Sequence, residues 1–232
     1  MKIEFIPLIS ERNLLPPIPA IRKLPDWYKK KSPFYQDGDK QVNYSGDHKN
    51  VSVKWCNPFG DALGAGYFIV LENDIQIRTV AGDISMVWAR GGEDFISTHK
   101  KEQIDPSIVP EGFSDQPYKF KSFYGIKTPP GYSVLITHPL NQPELPFHTL
   151  AGIVDTDDYH LAINFPFLLR NDWEGFIDAG TPIAQVIPFK RQSWTHEVKA
   201  FDQDQTTTYE DTYRRHLRRP YKRFFWKRKE WK

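Results

Sequence analysis

The sequence contains very little cysteine and no long hydrophobic segment. Cys56 is the single cysteine among 232 residues, which excludes an internal disulfide and a cysteine-based zinc site. No segment reaches the roughly eighteen apolar residues that a membrane-spanning helix needs. Residues 1–7 also lack the apolar core and cleavage site of a signal peptide. From these absences we expect an intracellular protein.

Aromatic residues and prolines are plentiful and predict short strands joined by many turns. Aromatics make up 15% of the chain and there are 19 prolines, which break both helices and central strands. Turn residues punctuate the apolar or alternating segments, and the glycine-rich residues 60–66 predict a connecting turn. Because Cys56 ends the alternating, strand-like segment of residues 51–56, we expect its thiol to be buried. The predicted strands cover residues 51–55, 67–71, 74–80, 84–89, 132–137, 160–167 and 181–189.

These strands predict an all-β fold, a barrel or sandwich, with additions at both ends. We expect a proline-rich extended arm and loop over residues 1–50 and a β domain over residues 51–200. A helix and a basic-aromatic tail are expected over residues 201–232. The capping-box pattern from Thr207 to Glu210 starts a predicted helix over residues 208–219. Residues 91–120 show weaker signals and predict a long excursion.

Charge is distributed unevenly along the chain. Residues 213–232 contain ten Lys and Arg residues and one acid, Glu230, whereas residues 1–212 contain 21 basic and 28 acidic residues. Interleaved aromatic and basic side chains could bind nucleic acid, dock on a subunit or partner, or pack on the chain's own surface. We favour docking, because free exposed aromatics are costly. The predicted partner-binding residues are Arg218, Arg219, Arg223, Phe225, Trp226, Arg228 and Trp231.

Three segments in the second half of the chain resemble the dUTPase and dCTP deaminase superfamily. They are residues 128–131 (Thr-Pro-Pro-Gly), residues 152–159 (Gly-Ile-Val-Asp-Thr-Asp-Asp-Tyr) and residues 180–188 (Gly-Thr-Pro-Ile-Ala-Gln-Val-Ile-Pro). The resemblance implies a β-clip core at residues 128–190 and a homotrimer. It also implies that Asp155 activates water and Tyr159 packs on a sugar. The implied ligand-binding residues are Asp155, Asp157, Tyr159 and Gln185.

Two parts of that superfamily's catalytic equipment are missing from the sequence. The Arg-Ser-Ser element that holds phosphates is replaced by Pro-Phe-His-Thr-Leu-Ala at residues 146–151, and no glycine-rich arm follows Gly180. We therefore expect a non-catalytic binding or assembly protein without a cofactor. The alternative is a divergent nucleotide hydrolase in which Asp155 activates water and Mg²⁺ is required.

The whole chain also resembles a family of bacteriophage proteins. The segments that carry this resemblance are residues 24–29, 56–62, 127–133 and 180–185. It implies a setting, either the host-cell cytoplasm or the virion, and no mechanism.

Four histidines and three aspartates near the predicted ligand pocket make a metal site a second hypothesis. The residues concerned are His99, His138, His148, His160, Asp155, Asp157 and Asp158. They could form a mixed metal site, but no pair of histidines has a metal-binding spacing. The crowded aspartates fit a solvated turn, in which carboxylates accept hydrogen bonds from local backbone N–H groups. We predict no metal.

Overall fold

A computed structural model describes residues 1–9, 14–34, 51–80, 83–88, 95–171, 173–215 and 221–232. The strands are β1 (Glu4–Pro7), β2 (Ile18–Pro19), β3 (Tyr67–Val70), β4 (Ile75–Val80), β5 (Asp83–Trp88), β6 (Ile96–Thr98), β7 (Phe113–Lys127), β8 (Tyr132–Thr137), β9 (Phe147–Thr149), β10 (Gly152–Val154), β11 (Ala162–Arg170), β12 (Gly175–Ile177) and β13 (Pro182–Lys190). The helices are α1 (Asp26–Lys30), α2 (Asn57–Leu63) and α3 (Gln203–Arg215), and Tyr221–Phe225 forms a π-helical turn. Short 3-10 turns occupy Ala20–Lys23, Val53–Trp55, Lys101–Gln103 and Pro106–Ile108.

The strands pair into three antiparallel sheets. One has the order β1-β7-β11-β9, with β6 also paired to β7, and a second has the order β10-β8-β13-β3-β2. The third and smallest has the order β12-β4-β5. The predicted all-β class is therefore confirmed, together with a short helix near the C-terminal end. No helix in the described ranges is long and apolar enough to cross a membrane.

One apolar core connects the three sheets. Phe120 of β7 and Phe167 of β11 stack with ring centroids 3.8 Å apart, and Phe147 of β9 contacts Phe120 edge-on. The same cluster includes Val134 of β8 and Ile75 of β4, both fully buried. Because aromatic rings bury large apolar areas, this cluster supplies most of the hydrophobic stabilisation.

The N-terminal arm is attached to the body along two strands. Strand β1 pairs with the end of β7, from Glu4 opposite Lys127 to Pro7 opposite Tyr124. Strand β2 extends the second sheet by pairing with β3. The arm then continues into α1, which lies next to α2 through edge contacts between Trp27 and Phe59.

The strand predicted at residues 51–55 is wrong. Ser52 accepts a hydrogen bond from the backbone of Lys54 and begins the 3-10 turn Val53–Trp55. Helix α2 follows at once, with Pro58 in its first turn, where the missing N–H costs nothing. The turn predicted at residues 60–66 therefore contains the end of a helix, and the Cys56 thiol is exposed rather than buried.

Two further boundaries differ from the predictions. The excursion predicted at residues 91–120 contains strand β6 and most of the 15-residue strand β7. Helix α3 begins at Gln203, five residues before the predicted start. The carboxylate of Asp202 accepts a hydrogen bond from the backbone N–H of Gln205, so Asp202, not Thr207, caps the helix.

Candidate functional site

The sequence-predicted site forms a tight bend between β10 and β11. The backbone N–H groups of Asp158 and Tyr159 donate to the carbonyl oxygen of Asp155 at 3.3 and 3.0 Å. Thr156 points inward and is fully buried. Residues 155–159, which we call the acidic bend, thus expose some side chains and bury others within one turn.

Buried threonines fasten the acidic bend to the connection between β7 and β8. The hydroxyl oxygens of Thr128 and Thr156 are 2.8 Å apart, and the backbone N–H of Thr128 donates to the carbonyl oxygen of Thr156. The Thr128 hydroxyl also donates to the carbonyl oxygen of Tyr132. Since a hydroxyl has one proton, Thr156 is the donor between the two threonines. This network fixes the bend beside β8.

Asp157 is the structural carboxylate of the bend. Its side chain is 8% exposed, and it accepts hydrogen bonds from the backbone N–H of Gly131 at 2.8 Å and from both terminal nitrogens of Arg191. The bidentate contact to Arg191 and the bond from Gly131 hold the pKa of Asp157 well below its usual range. Gly131 has a φ of 81° in the turn after Pro130, a conformation that favours glycine.

Asp155 is the exposed carboxylate of the bend. One of its oxygens accepts a hydrogen bond from the Ser133 hydroxyl at 2.6 Å and lies 3.3 Å from Arg191 Nη1. The side chain is 66% exposed, so the rest of the carboxylate faces solvent. Asp155 is therefore held in one orientation by β8 but stays accessible.

Arg191 completes the site and was missed at the sequence level. It follows β13, whose last residue, Lys190, pairs with Tyr132 of β8. This register places Arg191 beside Gly131, and its backbone N–H donates to the Gly131 carbonyl oxygen at 2.8 Å. Its Nη1 also donates to the carbonyl of Tyr132 and the hydroxyl of Ser133. The position of Arg191 could have been predicted only from the pairing register of the strands at residues 132–137 and 181–189.

The other two predicted ligand-binding residues, Tyr159 and Gln185, make hydrogen bonds within the chain. Tyr159 is 46% exposed, and its hydroxyl donates to the carbonyl oxygen of Ala162 at 3.4 Å. Gln185 is fully buried away from the bend. Its amide nitrogen donates to the carbonyl oxygens of Ala62 and Ala65, and its amide oxygen accepts from the backbone N–H of Leu140. Those contacts make Gln185 a support for α2, and its predicted ligand-binding role stays untested.

The histidines and aspartates considered for a metal do not converge. His138 and His148 stack with ring centroids 4.9 Å apart. His99 instead contacts Gln103, and His160 contacts the backbone carbonyl of Asp157. Among the residues that the structure describes, no three His, Cys, Asp or Glu side chains are arranged to hold a metal ion.

The end of the tail contacts the body of the same chain. Trp226 Nε1 and Lys229 Nζ donate to Asp61 of α2, at 2.8 and 2.6 Å. The ring of Trp231 lies edge-on to Tyr67 of β3 with centroids 6.1 Å apart, and the Tyr67 hydroxyl donates to the carbonyl oxygen of Lys232. This tail contact joins a basic segment to the one acid of α2.

The other predicted tail residues make local contacts. Arg223 lies over the ring of Phe224, and Phe225 is 6.1 Å from the ring of Tyr209 in α3. Arg228 pairs with Glu230 at 3.1 Å. Arg218 and Arg219 lie outside the described residues.

Comparison with known proteins gives a weak structural similarity. No family model matches the sequence, and no curated protein matches it. A mutant dUTPase from phage phi11 of S. aureus is 14% identical over 60% of this chain and 84% of its own, with a TM-score of 0.31. Two mutants of the Staphylococcus bacteriophage 80alpha dUTPase, both with dUpNHpp, give TM-scores of 0.31 and 0.35. The first is 14% identical over 60% of this chain and 76% of its own, and the second 12% over 87% and 89%. Scores this low support no argument about activity.

Proposed function

We propose that this chain is a non-catalytic binding or assembly protein that uses its basic-aromatic tail as an interaction element. The observation that supports this most is the closure of the acidic bend by Arg191. A single guanidinium contacts both Asp155 and Asp157 and two groups of β8. A guanidinium held in this way offsets part of the negative charge of the bend, and its N–H groups are directed at acceptors of the protein rather than at a phosphate.

Phosphoryl chemistry needs cations and hydroxyl groups that face the substrate. Ser133 is fully buried, and its hydroxyl donates to Asp155. Asp157 binds Arg191 and the backbone of Gly131 through both oxygens. The side chains that would have to bind phosphates are thus hydrogen-bonded to other groups of the protein, which supports a structural role for the bend.

The alternative is a divergent nucleotide hydrolase, and one feature favours it. Arg191 comes from a distant part of the sequence and supplies a cation at the bend, where the preceding segment has none. Asp155 retains an exposed carboxylate, and Tyr159 lies beside it with nearly half of its surface exposed. In this alternative Asp155 activates water, and Mg²⁺ accompanies the substrate.

An assay for pyrophosphate release tests the proposal. We expect the protein, incubated with Mg²⁺ and dATP, dCTP, dGTP, dTTP or dUTP, to release no more pyrophosphate than a protein-free blank. The matched variant is Asp155→Asn, which keeps the shape of the side chain and removes its charge. Release by the wild type that disappears in Asp155→Asn would establish the hydrolase instead.

The contact of the tail with Asp61 of the same chain has a test of its own. In Trp226→Phe the ring remains but the N–H donor to a charged acceptor is lost, a bond worth about 1.5–3 kcal/mol. We expect trypsin to cleave after residues 227–229 roughly tenfold faster, since about 1.4 kcal/mol corresponds to a factor of ten. The same substitution at Trp194, which is 81% exposed, should leave the cleavage rate unchanged. Equal rates in the wild type and Trp226→Phe would mean that the contact does not hold the tail.

Assembly and setting are further parts of the proposal. We take a homotrimer as the first expectation and a phage-encoded protein in the host cytoplasm or the virion as the setting, both from the sequence resemblances. Deleting residues 213–232 should change the oligomeric size or the capture of a partner, as measured by light scattering and pull-down. Binding of nucleic acid by the tail would instead show an affinity that falls steeply with added salt.

A further inference from the structure

A cleft of about 660 Å³ opens at the side of the fold where α1, α2 and the loop between β8 and β9 meet. Trp27 and Phe59 come from the two helices, and Phe113 comes from the start of β7. The inner residues include His138, Gln142 and His148, and Arg170 at the end of β11 also lines the cleft. A volume of this size fits a small molecule. None of these residues belongs to the acidic bend.

The aromatic and imidazole side chains of the cleft are flat, and both imidazoles are uncharged at neutral pH. His138 and His148 stack at 29° between their planes, and His138 also lies edge-on to Phe147. Burial lowers the pKa of His138 to about 4 and also lowers the pKa of His148. His138 Nδ1 accepts from the backbone N–H of Thr149, so Nε2 carries the proton and donates to the Gln142 carbonyl oxygen.

Arg170 is the cation of the cleft and offers donors to a partner with acceptor atoms. The guanidinium of Arg170 lies over the ring of Phe113 at 5.7 Å and is anchored by one hydrogen bond to the Pro143 carbonyl oxygen. Glu144 at the rim is exposed, where water screens its charge.

From this arrangement we infer that the cleft binds a small aromatic carboxylate, with the ring between the aromatic walls and the carboxylate on Arg170. Stacking on flat side chains selects a planar ring, and aromatic pairs are stabilised beyond the area that they bury. A guanidinium beside uncharged walls selects an anion, since it offers paired donors to a carboxylate.

Titration calorimetry with indole-3-carboxylate tests this inference on the full chain. We expect one molecule to bind per chain with a Kd of about 1 mM or below, the range expected for so few atoms. Indole lacks the carboxylate and cyclohexanecarboxylate lacks the flat ring, so each should bind at least tenfold more weakly. Arg170→Gln should weaken binding of indole-3-carboxylate by tenfold or more, whereas Arg22→Gln on the exposed arm should not change it.

A second measurement needs no variant and covers the case in which Arg170→Gln fails to fold. The ring current of a bound indole should shift the imidazole proton resonances of His138 and His148 and leave those of the exposed His196 unchanged. Absence of binding at 5 mM probe, an affinity for indole or cyclohexanecarboxylate equal to that of indole-3-carboxylate, or unshifted resonances of His138 and His148 would each overturn the inference.

Discussion

Replacing Gln185 with leucine is expected to lower the free energy of unfolding by about 3–5 kcal/mol. The substitution conserves volume, so it leaves little cavity, but it removes all three hydrogen bonds of the amide. The carbonyl oxygen of Ala65 and the backbone N–H of Leu140 would lose this partner, and the carbonyl oxygen of Ala62 would keep only the long bond from the backbone N–H of Ala65, at 3.4 Å. Each unsatisfied buried group costs about 1–3 kcal/mol. Urea denaturation measures the change, since the midpoint reports stability when the slope is constant.

A matched substitution is available at Gln142, which is also buried. Its side-chain nitrogen already lacks a partner, so Gln142→Leu removes an unsatisfied donor and should alter stability by no more than about 1 kcal/mol. A large loss of stability in Gln185→Leu with little change in Gln142→Leu would show that hydrogen bonding, not the polarity of the side chain, determines the loss. A loss below about 1 kcal/mol in Gln185→Leu would contradict the support role and favour the ligand-binding role predicted from the sequence.

The contacts of Gln185 also explain which parts of the fold were predictable. Strands β3, β8 and β13 were predicted to within about one residue, because each is an apolar segment between turn residues. Helix α2 was missed since it is short, contains Gly60 and is held through Ala62 by Gln185, which is 123 residues away. Local propensity is a weak guide when a distant side chain supplies the stabilising hydrogen bonds.

Strand β7 was missed for a different reason. It contains Pro117 and charged residues such as Lys119, which locally resemble a loop. It pairs with β1, β6 and β11, so its conformation is determined by three neighbours. Pro117 lies opposite Leu168, next to a register shift, where a missing N–H is tolerated.

The position of the acidic bend was predicted, and the ligand-binding role of its residues stays a prediction. The acidic bend lies at a turn, as the Gly-Ile-Val-Asp motif indicated. The prediction that its carboxylates accept hydrogen bonds from local backbone N–H groups is wrong, because their donors are Gly131, Ser133 and Arg191, which lie 22 to 36 residues away. Arg191 could not be found from local pattern, since its place depends on the pairing of β8 with β13. The division of the chain into residues 1–50, 51–200 and 201–232 stays a prediction.

Acidification is expected to destabilise the protein by about 2–3 kcal/mol between pH 6.5 and pH 4 through His138 alone. Burial lowers the pKa of His138 from 6.5 in the unfolded chain to about 4 in the fold. In this window the unfolded state therefore binds more protons than the folded state, so stability falls as the pH falls. His148, whose pKa is lowered in the same direction, adds to the slope. Asp157 contributes below this window, because its lowered pKa gives stability that is lost only below about pH 4.

Urea denaturation at half-unit steps of pH measures this slope in three proteins. His138→Gln replaces the ring with an amide that can still donate to the Gln142 carbonyl oxygen but does not titrate. We expect this variant to be less stable than the wild type at pH 7 and to lose most of the slope between pH 6.5 and pH 4. His196→Gln, at an exposed position, should retain the full slope. If the three proteins showed the same slope, His138 would have to be accessible to protons in the folded state, and the cleft wall that it forms would be charged at mildly acidic pH.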